Sequence, residues 1–536
     1  SGTVLDTGSP TADADLRAAE PALVAVLERL RDQLRADAVA ADLRRRYAIK
    51  NTMGYGLNSF LDHDTPVRIL EHLMIGSEGT LGFVAEAVFR TVAVPARTAT
   101  GLLLFDSLDS ATTALPHLVY SGAEVVELID AASIRAMGAD AAQVLPAGFR
   151  PQGQASLLVE YSADDDATFA ERLASGHQTF DGLSGLEASP ELTQDARRRA
   201  QMWVMRKGLY TKVARNRPKG TAALLEDVAV PMESLGGVCT ALQGLFAQHG
   251  YADSVIFGHA KDGNIHFLVS EDFAGPESLK RYEDFTEDMV ALVLDSQGTL
   301  KAEHGTGRIM APFVRRQYGD ELYAAMWAVK DACDPERILN PGAVLTEDPQ
   351  LHLKHIKGTS PVRPVIDDCV ECGYCEPVCP SQHLTTTPRQ RIVVQRAIAD
   401  AEADGDQALA ATLFDQESYD VVQTCAVDGM CSTACPVQIN TGDLIRDLRK
   451  ERQSAALDAG WNVAARHWGA VLRVASVGMS TVDKVPIGPV RGVLGVARKV
   501  LGTDVVPTLT AGLPGGGPVR KPHAADGADA IFMPAC

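Results

Sequence analysis

Apolar residues fall into two rhythms along this chain. From Ala19 to Leu34 they recur at three- and four-residue intervals, as on one face of a helix, and residues 1–50 read as mostly helical. The stretch Lys50–Asn58 is turn-rich and leads into another helix. An apolar entry at Leu73 then meets a glycine-rich turn, and a β-type run follows from Phe83 to Val94. From about residue 99 strands and amphipathic helices alternate: Gly101–Phe105, Glu124–Ile129, Ser156–Tyr161 and Ala222–Val230 read as strands. The strongest local signal is Val255–Val269, two apolar runs around Asp262-Gly263. Asp-Gly between such runs predicts a tight hairpin, because the turn needs φ > 0 and glycine accepts it. Counting outward, Lys261 faces Asn264, Ala260 faces Ile265 and His259 faces His266.

Beyond a long amphipathic helix, Asn340-Pro341-Gly342 ends the domain with a turn. Residues 347–365 form a linker containing proline and histidine, and residues 441–502 are helical, mildly basic in their last part (Arg491, Arg498, Lys499). That part suits a membrane-surface helix or a packed bundle helix; Pro486 and Pro489 favour the bundle. Residues 503–525 are a Gly/Pro linker. The fold class is α+β.

With 536 residues the chain is too long for one core. A net charge of −19 and a pI near 5.1 argue against a nucleic-acid binder, which needs a basic stripe. No signal peptide opens the chain, and no apolar run would span a bilayer. Ten cysteines, mostly in one cluster with metal-like spacing, point to a reducing compartment. The expected location is cytoplasmic, with peripheral contact at the inner face of the plasma membrane as the nearest approach to a membrane. The chain starts without methionine and stops at Cys536 after an apolar run, so it reads as a piece of a longer protein, cut at both ends.

Several residues carry candidate chemistry. Two imidazoles held opposite each other, His259 and His266, can grip one metal ion or form an ordinary pair on a solvated sheet face. In Lys301-Ala-Glu-His-Gly-Thr-Gly307, Glu303 can complete a His–His–Glu set with His304 beside it as a base; a lone Glu-His pair is otherwise surface decoration. Arg206, on a helix, can fork onto a carboxylate or lie on the surface, and the loop Arg217–Thr221 has a weaker claim of the same kind. The loop Gly76-Ser-Glu-Gly-Thr-Leu-Gly82 brings backbone N–H groups close to an anion, or is only a turn.

The cysteines are more specific. Cys369, Cys372, Cys375 and Cys379-Pro380 have bacterial ferredoxin spacing, in which three thiolates hold one cluster and the fourth reaches another. Cys425, Cys431 and Cys435-Pro436 keep that register, with Asp428 in the second position. By the ferredoxin swap, Cys435 joins Cys369, Cys372 and Cys375, while Cys379 joins Cys425 and Cys431. The second centre is then a three-iron form, a four-iron form using Asp428 or water, or lost. Cys239 and Cys333 lie in helical contexts as inert thiols.

Loop 76–82, Arg206, Gly258–His266, Glu303-His304 and Asn340-Pro341-Gly342 occur in the order of the FAD-linked oxidase family, and loop 76–82 resembles the flavin-binding signature of the vanillyl-alcohol-oxidase-type FAD domain. The resemblance covers roughly residues 1–346. It implies FAD along Gly76, Ser77, Glu78, Gly79, Thr80 and Gly82, with Asn340 and Asn264 as further contacts, Asn264 near both flavin and substrate. It implies a divalent metal, zinc or manganese, on His259, His266 and Glu303, with His304 as base and Arg206 on the substrate carboxylate. Lys261 stands where the family often has a small residue, so a cation there would narrow substrate choice. The family's first phosphate loop is not in this chain. Expected divisions are the C-terminal half of an FAD domain (1–98), an α+β substrate and metal domain with an antiparallel sheet (99–346), the linker (347–365), a mostly helical 4Fe-4S ferredoxin-type domain (366–450), a helical segment (451–502), and a linker leading to the start of a cysteine-rich domain (503–536). The expected activity is oxidation of a small 2-hydroxy acid, D-lactate favoured over D-2-hydroxyglutarate and glycolate, with electrons passing through the clusters to a quinone, cytochrome or carrier protein. A non-catalytic electron-transfer subunit is the rival reading.

Overall fold

The computed structural model describes residues 2–503 except Ala147, Ser189, Ala274, Asp483 and Val485, with four further positions between 506 and 517. Asp529–Cys536, read above as the start of a cysteine-rich domain, lies outside the described residues. The chain divides into two compact units, residues 1–445 and 446–536.

The first unit is built on six antiparallel strands: β1 (Arg97–Phe105), β2 (Val125–Ile129), β3 (Ala155–Ala163), β4 (Ala222–Ala229), β5 (Val255–His259) and β6 (Asn264–Glu271). Their order across the sheet is β1-β3-β2-β5-β6-β4. Successive residues point to opposite faces, and both faces are covered. Leu103, Phe105, Ile256 and Phe267 enter one core with Leu115, Leu118, Leu242 and Phe285 of flanking helices. Their neighbours Leu104, Phe257 and Leu268 enter a second core with Ile134, Met137, Met205 and Leu209. Double-sided burial explains why these strands read as near-continuous apolar runs. The N-terminal helix Pro21–Leu34 packs Leu27, Leu30 and Leu34 into the first core with Met326 and Val329 of helix Val314–Cys333.

The hairpin has a different register from the one its Asp-Gly pair predicts. His266 faces Phe257, not His259, and Ile256 faces Phe267. Residues Ala260–Asp262 coil into a short 3₁₀ turn, and Gly263 alone takes the left-handed conformation, φ 64°. The cause is backbone crowding. A Cβ on Gly263 would lie 1.9 Å from the Val230 carbonyl oxygen, and one on Gly258 would lie 2.5 Å from that of Asn264. The slip is of two residues, so side chains keep their faces, and His259 and His266 still project to one side.

Two further expectations change. Residues 83–95 are not a strand; Phe83, Val88 and Phe89 are exposed, because no second strand pairs with this stretch among the described residues. In the second unit the helices Ala455–Arg466, Trp468–Val482 and Ile487–Leu501 form, yet Trp461, Val474, Val493, Val496 and Val500 are exposed and not buried as a packed bundle would have them. No helix among the described residues is long and apolar enough to cross a membrane.

Gly263→Ala forces a Cβ onto the Val230 carbonyl, and the turn must shift. We expect a loss of about 2–3 kcal/mol, read by denaturant unfolding of the purified chain.

Candidate active site and cluster-binding cysteines

Acid and base side chains form a row across four strands. Glu127 on β2 faces His259 on β5, and Asp227 on β4 faces His266 on β6. Glu303 arrives from the segment after Thr299, which bridges to β4 at Ala229 and Asp227. The Asp227 carboxylate fixes that segment: Oδ2 accepts the N–H groups of Ala302 (3.1 Å), Glu303 (2.7 Å) and His304 (2.9 Å), and Oδ1 accepts Asn264 Nδ2 (2.8 Å). Asp227 is fully buried, which opposes its ionisation, but His266 and these N–H groups outweigh burial and hold it ionised well below the usual carboxylate range.

Glu303 Oε1 consequently lies 3.1 Å from His259 Nε2 and 3.4 Å from His266 Nε2. One ligand atom from each of the three lies within 4.8 Å of the others. The opposite ring nitrogens are turned to carboxylates: His259 Nδ1 to Glu127 (2.6 Å) and His266 Nδ1 to Asp227 (3.2 Å). Two imidazoles backed by carboxylates and presenting Nε2 to a common point fit a divalent cation with one carboxylate ligand. Asp227, His266 and His304 form a second close set, but four donors already occupy the Asp227 carboxylate. Hydrogen bonds to Glu127 and then to Glu303 raise the His259 pKa to about 9. Burial lowers that of His266, but Asp227 and Glu303 raise it overall. The two histidines in turn hold Glu303 ionised far below its usual range.

His304 stacks on His266, ring centroids 4.8 Å apart and planes 8° from parallel. Burial, above all, lowers its pKa, so its ring stays neutral. Arg206 donates Nε to Glu127 Oε2 (2.6 Å) and lies over the Phe257 ring. Among the described residues neither of its Nη groups has a protein partner, so Glu127 orients the guanidinium and leaves its fork free. Lys261 does not enter the site as expected: its ammonium is held by the carbonyls of Ala123 and Glu124. Lys50 supplies the cation instead, 3.1 Å from Glu303 Oε2 and 2.8 Å from Asp262.

The glycine loop joins the same assembly. Gly76, Glu78 and Gly79 all have positive φ, and a Cβ on Gly76 or Gly79 would meet open space. Ser77 and Thr80 are buried; Thr80 Oγ1 lies 2.7 Å from Tyr55 Oη, and its carbonyl accepts Lys330. The Glu78 carboxylate accepts the Gly307 N–H, and Asn340 Nδ2 donates to the Glu78 carbonyl (2.8 Å). Gly82 sits at the loop's end beside Met74. Buried Asn264 Oδ1 has no partner, an orphaned acceptor that suits a ligand donor. An open backbone cradle and this acceptor fit a flavin nucleotide.

Cys369, Cys372, Cys375 and Cys435 together line one small cavity, also lined by Thr211, Val370, Val437 and Ile439. These are the four cysteines that the swap groups. Burial, then neighbouring Cys369 and Cys435, push the Cys375 thiol up to about 12, so it ionises there only against a cation. Arg217 and Lys219 serve this region: Arg217 donates to the Cys369 carbonyl (3.3 Å) and Lys219 pairs with Asp368. Cys379 and Cys431 are buried, and Cys425 is half-buried. Asp428 is exposed, and its Oδ1 accepts the Met430 N–H (3.2 Å) at the start of helix Met430–Ala434. Cys239 is buried and Cys333 half-buried, both thiols pushed up to about 12 by burial.

Residues 94–344 match the model of FAD linked oxidases, C-terminal domain, and residues 365–439 match that of the 4Fe-4S dicluster domain. The chain joins an FAD-linked oxidase C-terminal domain to a 4Fe-4S dicluster domain. Similar curated proteins include the glycolate oxidase subunit GlcD of Bacillus subtilis, 28% identical over 285 residues (52% of this chain, 57% of that protein). The D-2-hydroxyglutarate dehydrogenase of Escherichia coli is 27% identical over 458 residues (72% and 44%). The mitochondrial D-lactate dehydrogenase [cytochrome] of Kluyveromyces lactis is 27% identical over 329 residues (59% and 52%). The chain spans about half the length of the curated relatives it matches.

Sequence reasoning missed Glu127 and Asp227 of this oxidase domain and Lys50 before it. The first two left a signal: acids inside apolar strands, one in Val-Val-Glu-Leu-Ile and two in Leu-Glu-Asp-Val-Ala, are rarely buried without a task. Asp227→Asn keeps the shape and removes the charge that holds His266 and the 302–304 backbone. We expect divalent-cation affinity to fall about 10–100-fold, measured by competition with a chromogenic chelator.

Proposed function

We propose that this chain forms the substrate-oxidising and electron-transferring part of an FAD- and iron–sulfur-dependent 2-hydroxy-acid dehydrogenase. The observation that carries the reading is the convergence of His259, His266 and Glu303 beside neutral His304 and the free fork of Arg206. His259, His266 and Glu303 hold a divalent ion, with zinc and manganese both suited to nitrogen and carboxylate ligands. When bound, the ion supplies Lewis-acid polarisation of the substrate hydroxyl, the flavin a hydride acceptor, and the clusters one-electron carriers. Loop 76–82, Asn264 and Asn340 hold the flavin.

The chain's own residues do the rest. Arg206 binds the substrate carboxylate through its Nη groups, its plane set by Glu127 and Phe257. His304 takes the hydroxyl proton on a ring kept neutral by burial and positioned by stacking on His266. Lys50 holds the second oxygen of Glu303, so Oε1 faces the histidines.

D-lactate is the substrate favoured by sequence resemblance. D-2-hydroxyglutarate has a separate claim: the relative so named aligns over 72% of the chain, the other two over 52% and 59%. We place D-2-hydroxyglutarate first and D-lactate second. A quinone or a one-electron carrier serves as acceptor, since clusters pass single electrons.

The test is dye reduction by the full-length protein with D-2-hydroxyglutarate, D-lactate and glycolate, before and after chelation. Turnover with at least one acid, lost on chelation and restored by zinc or manganese, is expected. No turnover with flavin bound favours the electron-transfer subunit. His304→Gln should lower kcat by about 10²–10⁴-fold with metal content unchanged, measured by steady-state kinetics alongside metal analysis.

A further inference from the structure

Helix Pro388–Ala403 lies between the two cysteine sets and carries two buried arginines. Arg396 is a paired charge: Nη1 donates to Glu371 (2.6 Å) and Nη2 to the Cys369 carbonyl (3.0 Å). Arg391 differs. It is 1% exposed, and its Nε donates to the Val421 carbonyl (3.0 Å). Its Nη1 lies 3.6 Å from Cys379 Sγ, and Nη2 is buried without a partner. Among the described residues no carboxylate pairs with Arg391. A guanidinium stays charged in proteins, and burying that charge uncompensated is strongly unfavourable. A compensating anion is therefore needed, and among the described residues the side chain that Nη1 reaches is that of Cys379.

Cys379 is the cysteine that the ferredoxin swap assigns to the second set, with Cys425 and Cys431. This is the set that Asp428 leaves one cysteine short. We infer that Arg391 is the built-in counter-charge of a second iron–sulfur cluster held by Cys379, Cys425 and Cys431, and that it raises the reduction potential of that cluster. The inference rests on the dicluster reading and not on the substrate. Reduction adds one electron to the cluster and breaks no bond, so the bound anion grows by one charge. A fixed cation against a ligand sulfur, with a second N–H free to turn toward the cluster, favours the more negative state. At the first set Arg396, paired with Glu371, and Arg217 both donate to the Cys369 carbonyl, whereas Arg391 approaches a cysteine sulfur directly.

The experiment is an anaerobic dithionite titration of the iron-loaded full-length protein, each cluster followed by its electron-spin signal, with iron counted per chain. The wild type should hold about seven to eight irons. In Arg391→Met the second cluster's midpoint should fall by at least a tenfold change in its reduction equilibrium, about 59 mV for one electron, with the first unmoved. Arg391→Lys should keep the second cluster and shift it less. Loss of the second cluster in the Met variant with retention in the Lys variant supports the inference equally. Wild-type iron for one cluster only, unchanged midpoints in iron-replete Arg391→Met, or equal loss in the Lys and Met variants overturns it. Because dithionite supplies the electrons, failure here is distinct from failure of the proposed dehydrogenase, which the substrate assay reads separately.

Discussion

The buried Asp227 carboxylate is the constraint on which the oxidase site depends. One charged group with no exposure accepts three consecutive backbone N–H groups, a side-chain amide and the approach of His266. An ionised carboxylate at that depth is stable only because these donors replace water. Removing β6 or the 302–304 segment would leave the charge without its donors. The same interaction turns Glu303 and His304 in opposite senses from adjacent residues, one toward the two Nε2 atoms and the other onto the His266 ring. Two residues side by side in sequence thus meet different partners in space.

From that point the organisation runs outward along one segment. Residues 301–307 leave Asp227 and pass Glu303 and His304. They end where Gly305 and Gly307 pack on Glu78 of the glycine loop, close enough that a Cβ on Gly305 would meet the Glu78 carboxylate at 2.6 Å. The His259–His266–Glu303 set and the glycine loop are therefore coupled by backbone, which does not tolerate small displacements. On the other side, Thr211 closes the cavity of the first four cysteines, while Arg215 and Lys219 pair with Asp368 and Arg217 donates to the Cys369 carbonyl. The cluster cavity is thus partly walled by the oxidase domain itself, an arrangement suited to passing electrons from one domain to the other.

Much of this was legible beforehand. Strands β1 to β6 announce themselves through β-type runs, and the ferredoxin register groups Cys369, Cys372 and Cys375 with Cys435, which line one cavity. The hairpin was legible in part: Asp262-Gly263 marks a turn, but its register follows from the crowding of Gly258 and Gly263 against strands distant in sequence. Arg206 was visible as a candidate fork, whereas the carboxylate that orients it, Glu127, was not. The run from Phe83 to Val94 reads as a strand by composition, yet a strand exists only when paired, and pairing is not a property of the segment.

The sequence by itself determined the α+β class, the position of the glycine loop, the ferredoxin-type cysteine spacing and the two histidines on one face of the hairpin, because each depends on residue type at short, fixed separations. Only the tertiary structure decided which charges meet. Glu127, Asp227, Glu303 and Lys50 come from four distant parts of the chain, and Arg391 finds Cys379 across a turn and a helix. Charges buried together must satisfy one another, and that requirement acts in space, not along the chain.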